Sequence, residues 1–429
     1  MLSFLVFSYL ALYYIRPTEW IPGFIGTPIL FVFGVISILF LGAGVISNRF
    51  TNVLNGQTEQ MMFGFVVAIV LSHLSHFYIG GATDSFNSFL PTMTGFFLVI
   101  CFIDSRKRLN VFLLLLIFLT TYLAYEGWLQ HTTGFAHGGL EPLYEKEMLP
   151  EGESILVPRI RWYGMFNDPN DLGLALVVVV PFLLDMLLQR RLIIPLVSLP
   201  FITVAMYYTN SRGTVLAGLV AIASYFVIRY RSLYGALAGG LFAVVLFLFG
   251  PSRMSSVSAS EESAHGRIDA WYQAYLMFKS NPLFGVGQGM FTDYNPLTAH
   301  NSFVLVMAEL GFVGLFFFTG IFYFPYNWLW NNLFSTAETT LSQEDVGIVS
   351  SVFASFNGML VAMFFLSRSY TMIPFILVGL ATAMTRVFDD ELNLGAIKTI
   401  EEKPRHFRLI LGLTVLQIIG INIIVKLSI

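Results

Sequence analysis

The stretch AHNSFVLVMAELGFVGLFFFTGIFYF, residues 299–324, decides the fold. From Ser302 to Phe324 it runs 23 residues with Glu309 as the only charged side chain. A bilayer's hydrocarbon is crossed by about 20 mostly apolar residues in a helix. The segment therefore reads as a membrane span, with Ala299, His300 and Asn301 at its mouth. Working outward, the same signal recurs near 1–15, 24–46, 61–79, 88–103 and 109–125. It returns near 171–188, 192–208, 214–228, 233–250, 347–367, 371–388 and 407–426. The expectation is an all-α, polytopic integral membrane protein with about 12–14 transmembrane helices and two long loops.

Composition agrees. Of 429 residues, 56% are hydrophobic and 11% charged, with 43 Phe, 19 Tyr and 6 Trp and a net charge of −3. Mean hydropathy is +0.73. Soluble proteins carry roughly a quarter charged residues, so a soluble enzyme, a disordered chain and a basic nucleic-acid binder are excluded. The lone Cys101 rules out an intrachain disulfide framework and a cysteine-rich metal site. The first apolar stretch has no small-residue cleavage site ahead of a soluble domain, so it reads as a retained helix.

Lys and Arg in short loops are held on the cytoplasmic side. Arg49, Arg106-Lys107-Arg108, Arg190-Arg191 and Arg229 with Arg231 fall in alternate short loops, eight basic residues in all. The opposite short loops hold Arg16, Arg212 and Arg368. The amino terminus is thus expected inside and the carboxyl terminus outside. The loop near 325–346 has no basic residue and decides nothing. Five regions follow: helices over 1–125, an outer loop over 126–170, helices over 171–250, a second outer loop over 251–301 and helices over 302–429. Two long connections on one face mark a place for function. The acidic run from Glu141 to Glu153 reads as a solvated stretch of the first loop.

In the second loop, Ile268, Trp271, Tyr272 and Tyr275 recur at helical spacing between Arg267 and Lys279. They suggest an amphipathic helix in the outer interface, aromatic face on the lipid headgroups, stopped by Asn281-Pro282. Gly285-Val286-Gly287-Gln288-Gly289 lacks the Gly-Lys-Ser/Thr of a phosphate-binding loop and reads as a tight turn that lets backbone approach a neighbour. His73 and His76 share a helix face, but two histidines with no third ligand nearby make a poor metal site.

Four stretches in order carry a resemblance: Arg161-Trp162-Tyr163-Gly164-Met165-Phe166-Asn167-Asp168-Pro169-Asn170, then Asn210-Ser211-Arg212-Gly213, then Gly266-Arg267 through Gly289, and finally Ala299-His300-Asn301-Ser302-Phe303 with Glu309 and Gly311. Over roughly 160–315 the chain resembles the O-antigen ligase and polymerase superfamily; the first five spans share only its hydropathy. The resemblance implies a metal-independent glycosyltransferase of the bacterial inner membrane, multi-pass, with its active site facing the periplasm and no cofactor. Its partners would be an undecaprenyl diphosphate-linked glycan donor, a lipid A–core or other glycan acceptor, and membrane lipids. A ligase, a polymerase and a protein-glycosylating branch share this machinery.

The residue types suit that chemistry. Departure of a diphosphate concentrates negative charge, and arginine forks onto phosphate oxygens while staying protonated. Arg212 and Arg267 are assigned that role, with Arg161 and Arg368 in reserve on the same face. Asn170 and Asn301 are candidate substrate contacts. An acceptor hydroxyl must lose its proton, and His300, with histidine's ordinary pKa near 6.5, is the candidate base; His265 is its rival. Structural readings stand beside each. His300 can cap or pack a helix entry, Arg212 and Arg267 can snorkel to headgroups, Arg368 can anchor two spans, and Asn167-Asp168-Pro169-Asn170 suits an ordinary helix start. A transporter and a noncatalytic scaffold are the rivals from other classes. The catalytic reading requires Arg212, Arg267 and His300 to share one extracytoplasmic pocket.

Overall fold

The computed structural model describes residues 1–148, 154–230, 260–334, 341–391 and 399–428. The span expected near 233–250 and the acidic residues Glu151 and Glu153 lie outside these, as does the His265 side chain. The principal helices are α1 (Leu2–Ile15), α2 (Ile29–Ile46), α3 (Gln57–Leu74), α4 (Ile79–Phe102), α5 (Arg106–Thr133), α6 (Pro169–Leu188), α7 (Ile193–Tyr208), α8 (Arg212–Tyr230), α9 (Ser260–Ser280), α10 (Ser302–Phe334), α11 (Gln343–Phe365), α12 (Met372–Glu391) and α13 (Thr399–Ser428). Among the described residues, eight helices are long and apolar enough to cross a membrane: α2, α4, α5, α6, α8, α10, α11 and most of α13. α7 and the Met372–Phe388 part of α12 are apolar but shorter. The chain is an all-α polytopic membrane protein.

Two compact units divide the chain. The first comprises 1–37, 105–260 and 329–362. Within it α5 packs on α1, α6 and α7, and α6 on α7 and α8. The buried face of α5 runs Leu109, Phe112, Leu116, Leu119, Leu123, Gly127 and Gln130, the three- and four-residue spacing that puts side chains on one helix face. α6 is buried almost all round, from Leu172 to Leu183, and Ser355 of α11 donates to its Val178 carbonyl (2.7 Å). The connection after α5 starts only at Gly134, so Glu126 belongs to the helix. Across the acidic run, β1 (Leu143–Met148) pairs antiparallel with β2 (Ser154–Arg159), from Leu143 opposite Arg159 to Met148 opposite Ser154. Trp162, fully buried, donates its indole N–H to Tyr14 O at 3.0 Å and fastens this segment to α1.

The second unit comprises 38–104, 261–328 and 363–429. There α4 packs on α3 and α12 around a phenylalanine core. Phe65 meets Phe89 and Phe318 with ring centroids 5.5 and 5.4 Å apart, and Phe89 meets Phe375 at 5.3 Å, separations at which edge and tilted ring contacts add to area burial. Arg386 of α12 donates to buried Glu59 of α3 (2.9 Å) and to the carbonyls of Val53 (2.8 Å) and Ile100 (3.1 Å). One guanidinium thus satisfies backbone and carboxylate from three segments.

Candidate functional site

In the second unit the site is organised by the entry into α10. The segment 281–287 lies along 308–313 as paired backbone. Val286 N–H donates to Ala308 O (3.1 Å), Gly287 N–H to Glu309 O (2.9 Å), Phe312 N–H to Pro282 O (2.8 Å) and Val313 N–H to Leu283 O (3.1 Å). A continuous helix would have these groups engaged internally. They are released because Gly311 breaks α10 at φ 63°, ψ −157°, a region open to glycine alone. A Cβ on Gly285 (φ 69°) would collide with the Glu309 carbonyl, so the expected tight turn with close backbone approach is present. His73 and His76 serve this turn. His73 Nε2 lies 3.0 Å from Gln288 O and 2.7 Å from Ser85 Oγ, and His76 Nε2 lies 3.0 Å from Asn281 Oδ1.

The turn delivers the chain back to His300, half-buried at φ 48°. A left-handed conformation costs a residue with a side chain about 1 kcal/mol, and its neighbours hold it there. Asn301, buried, caps α10: its Oδ1 accepts the Phe303 and Val304 N–H groups (2.9 and 3.0 Å). Ser302 Oγ donates to Leu366 O (2.6 Å) and accepts the Arg368 N–H (3.0 Å), while Ser369 Oγ donates to Ser302 O (2.8 Å). α9 closes the other side. Trp271 donates its indole N–H to Ala299 O (2.9 Å) and packs edge-on against Phe364, and the Arg267 guanidinium lies 5.8 Å from the Phe365 ring centroid. Of the aromatic face expected on lipid, Tyr272 is exposed but Trp271 turns inward. Arg267, His300, Asn301 and Arg368 are therefore brought to one end of one unit.

The first unit holds Arg161, Asn170 and Arg212, and there Asn170 is bonded by a residue the sequence did not single out. Arg159, only 8% exposed, donates from Nε to Thr209 O (2.9 Å), from Nη1 to Glu145 (2.6 Å) and from Nη2 to Asn170 Oδ1 (3.1 Å). Asn170 also donates to Asp168 Oδ1 (2.8 Å), whose same oxygen caps the start of α6 through the Asn170 N–H (2.7 Å). Arg161 donates to Glu141 O (3.0 Å) and Asn167 Oδ1 (3.2 Å). Asn210, in the left-handed region at φ 47°, donates to Pro158 O (3.1 Å), and Ser211 caps α8 at Thr214 N–H (3.1 Å), leaving Arg212 exposed at its first position. The sequence signal for the role of Arg159 is the apolar Ile155-Leu156-Val157 run just before it, which marks a strand.

Residues 196–319 match the family model described as O-antigen ligase. That stretch, under a third of the chain, is similar to O-antigen ligases. The match contains Arg212, Arg267, His300 and Asn301, while Arg161, Asn170 and Arg368 lie outside it. No curated protein matches the chain. The apolar helices make this a multi-pass membrane protein, and residues 196–319 carry its similarity to O-antigen ligase.

Proposed function

We propose that the chain is an inverting glycosyltransferase of the O-antigen ligase type, acting at the periplasmic face of the bacterial inner membrane. It takes a glycan from undecaprenyl diphosphate and gives it to an acceptor hydroxyl, with lipid A–core as the acceptor. The observation that carries this reading is the grouping of Arg267, His300, Asn301 and Arg368 at the α10 entry, inside or beside the family-matching stretch. His300 takes the proton as the acceptor oxygen attacks the anomeric carbon. The bond from that carbon to the diphosphate breaks, and the negative charge leaves with the carrier. Arg267 and Arg212 receive that charge through their forks, with Arg161 and Arg368 in reserve. Asn301 and Asn170 hold backbone and loops at the two motif stretches, which makes them positioning residues. Preorganised cations of this kind lower a barrier by about 3 kcal/mol each.

The test is transfer from purified undecaprenyl diphosphate glycan to lipid A–core in detergent. His300→Asn suits it best, because asparagine tolerates the left-handed conformation and leaves the turn intact. Loss of a general base lowers the rate roughly 10²–10⁴-fold; full turnover by a folded His300→Asn protein overturns the assignment. Arg212→Lys and Arg267→Lys each impair turnover if the fork matters. Extension of a second lipid-linked repeat, with no transfer to lipid A–core, would make the enzyme a polymerase. Movement of the donor across vesicles with no bond formed would make it a transporter.

A further inference from the structure

A cavity of about 600 Å³ opens in the first unit among α5, α6, α7 and α11. It is far from the motif residues along each helix: it uses the first turns of α5 and α7 and the last of α6. Its walls are apolar, with Leu113, Leu114, Ile117, Phe182, Ile193 and Ile348 among them, and its mouth carries Arg190, Arg191, Asn110 and Gln189. Such a volume is that of a ligand site, yet walls of this kind offer a water-soluble metabolite almost no hydrogen bonds. They fit a hydrocarbon chain.

The mouth specifies the headgroup. Arg190 is exposed, and no side-chain partner of its guanidinium is present among the described residues. Arg191 pairs with Glu344 at 2.6 Å with both side chains about half exposed, a surface contact worth little and readily exchanged for another anion. The one carboxylate in the lining, Asp185, is already engaged: Tyr225 donates to Oδ1 (2.9 Å) and Gln189 to Oδ2 (2.7 Å). Arg190-Arg191 and Arg106-Lys107-Arg108 belong to the short loops that the charge bias assigns to the cytoplasmic face, where anionic lipids attract basic clusters.

We infer that this cavity is a binding site for an anionic glycerophospholipid, its phosphate on Arg190 and Arg191 and an acyl chain between α5, α6, α7 and α11. Any lateral groove in a bilayer fills with lipid; the two guanidinium groups make this one selective. The inference does not depend on the glycan-transfer reading.

The experiment is native mass spectrometry of the delipidated full chain in detergent, with equimolar phosphatidylglycerol and phosphatidylcholine of identical acyl chains. The expected result is retention of the phosphatidylglycerol adduct by about tenfold over phosphatidylcholine, falling to parity in Arg190→Gln/Arg191→Gln. Leu114→Trp, which fills the cavity and leaves both arginines, lowers both adducts together. Unchanged circular dichroism and thermal midpoint without lipid establish that the variants fold. Parity in the wild-type protein, preference retained by the double arginine variant, or an adduct indifferent to Leu114→Trp would each overturn the site.

Discussion

Ser302 accepts the Arg368 N–H at 3.0 Å through the same hydroxyl that donates to Leu366 O at 2.6 Å. This buried side chain, two residues from His300, therefore fixes the turn after α11 onto the start of α10. Ser302→Ala leaves a buried N–H and a carbonyl without their partner, at about 1–3 kcal/mol. The expected outcome is a lower thermal midpoint in detergent. If glycan transfer occurs, its rate drops more than binding of the donor does, because geometry at His300 is lost while the charges remain.

Arg159 makes a sharper stability prediction. Its guanidinium bonds Thr209, Glu145 and Asn170 at once, tying β2 to α6 and to the turn before α8. Arg159→Gln strips charge-assisted bonds worth roughly 1.5–3 kcal/mol, while Arg161→Gln removes two bonds from a more exposed residue and costs well under that. Thermal unfolding of both variants checks the order; equal midpoints refute the hub.

The difference between these two arginines shows where the sequence is legible. Spans are read from composition, because apolar length is a local property; twelve of the thirteen expected segments coincide with described helices. The α10 entry is also local: His300, Asn301 and Ser302 are consecutive, and Asn301 caps the helix it precedes. Arg159 is different. Its burial is set by Thr209, 50 residues on, and by a hairpin whose acidic strand reads as solvated loop. Trp271 likewise looks lipid-facing by periodicity, and only its bond to Ala299 O turns it inward. Long-range partners, which no spacing rule contains, account for both.

The backbone pairing at 281–287 depends on glycine geometry. Gly285→Ala meets the Glu309 carbonyl and also carries left-handed strain of about 1–2 kcal/mol. Gly289 has φ 83° with open space around its Cβ position, so Gly289→Ala pays the strain alone. Gly285→Ala is expected to abolish or sharply lower folded yield, and Gly289→Ala to shift the midpoint by a few degrees. Similar behaviour of the two would refute the close approach.

Tyr370 makes one contribution to the pH dependence of stability. In the turn between α11 and α12 it donates to Glu309 Oε2 at 2.8 Å, and burial, with the neighbouring carboxylate, holds its phenol well above the usual value of 10.0. The unfolded phenol ionises near pH 10 while the folded one stays protonated. Its contribution is thus complete below about pH 10 and declines as pH rises above that. Tyr370→Phe lowers the midpoint at neutral pH by removing a buried bond, and flattens the decline between pH 9 and pH 11 relative to wild type; an unchanged slope would show that another group governs it.

Catalytic pH dependence has the opposite sign. A base must be unprotonated to accept the acceptor's proton, so under the proposed mechanism transfer by the wild-type protein rises with pH as His300 loses its proton and then levels. The residual activity of His300→Asn shows no such rise, because asparagine does not titrate. Arg267→Lys is expected to retain the inflection at a reduced plateau, since in the proposed mechanism the cation acts on the departing diphosphate and not on the proton. Rates measured from pH 5 to pH 8 with saturating donor separate the two roles. An inflection that survives in His300→Asn transfers the base assignment to another residue, and His265 is the next to replace.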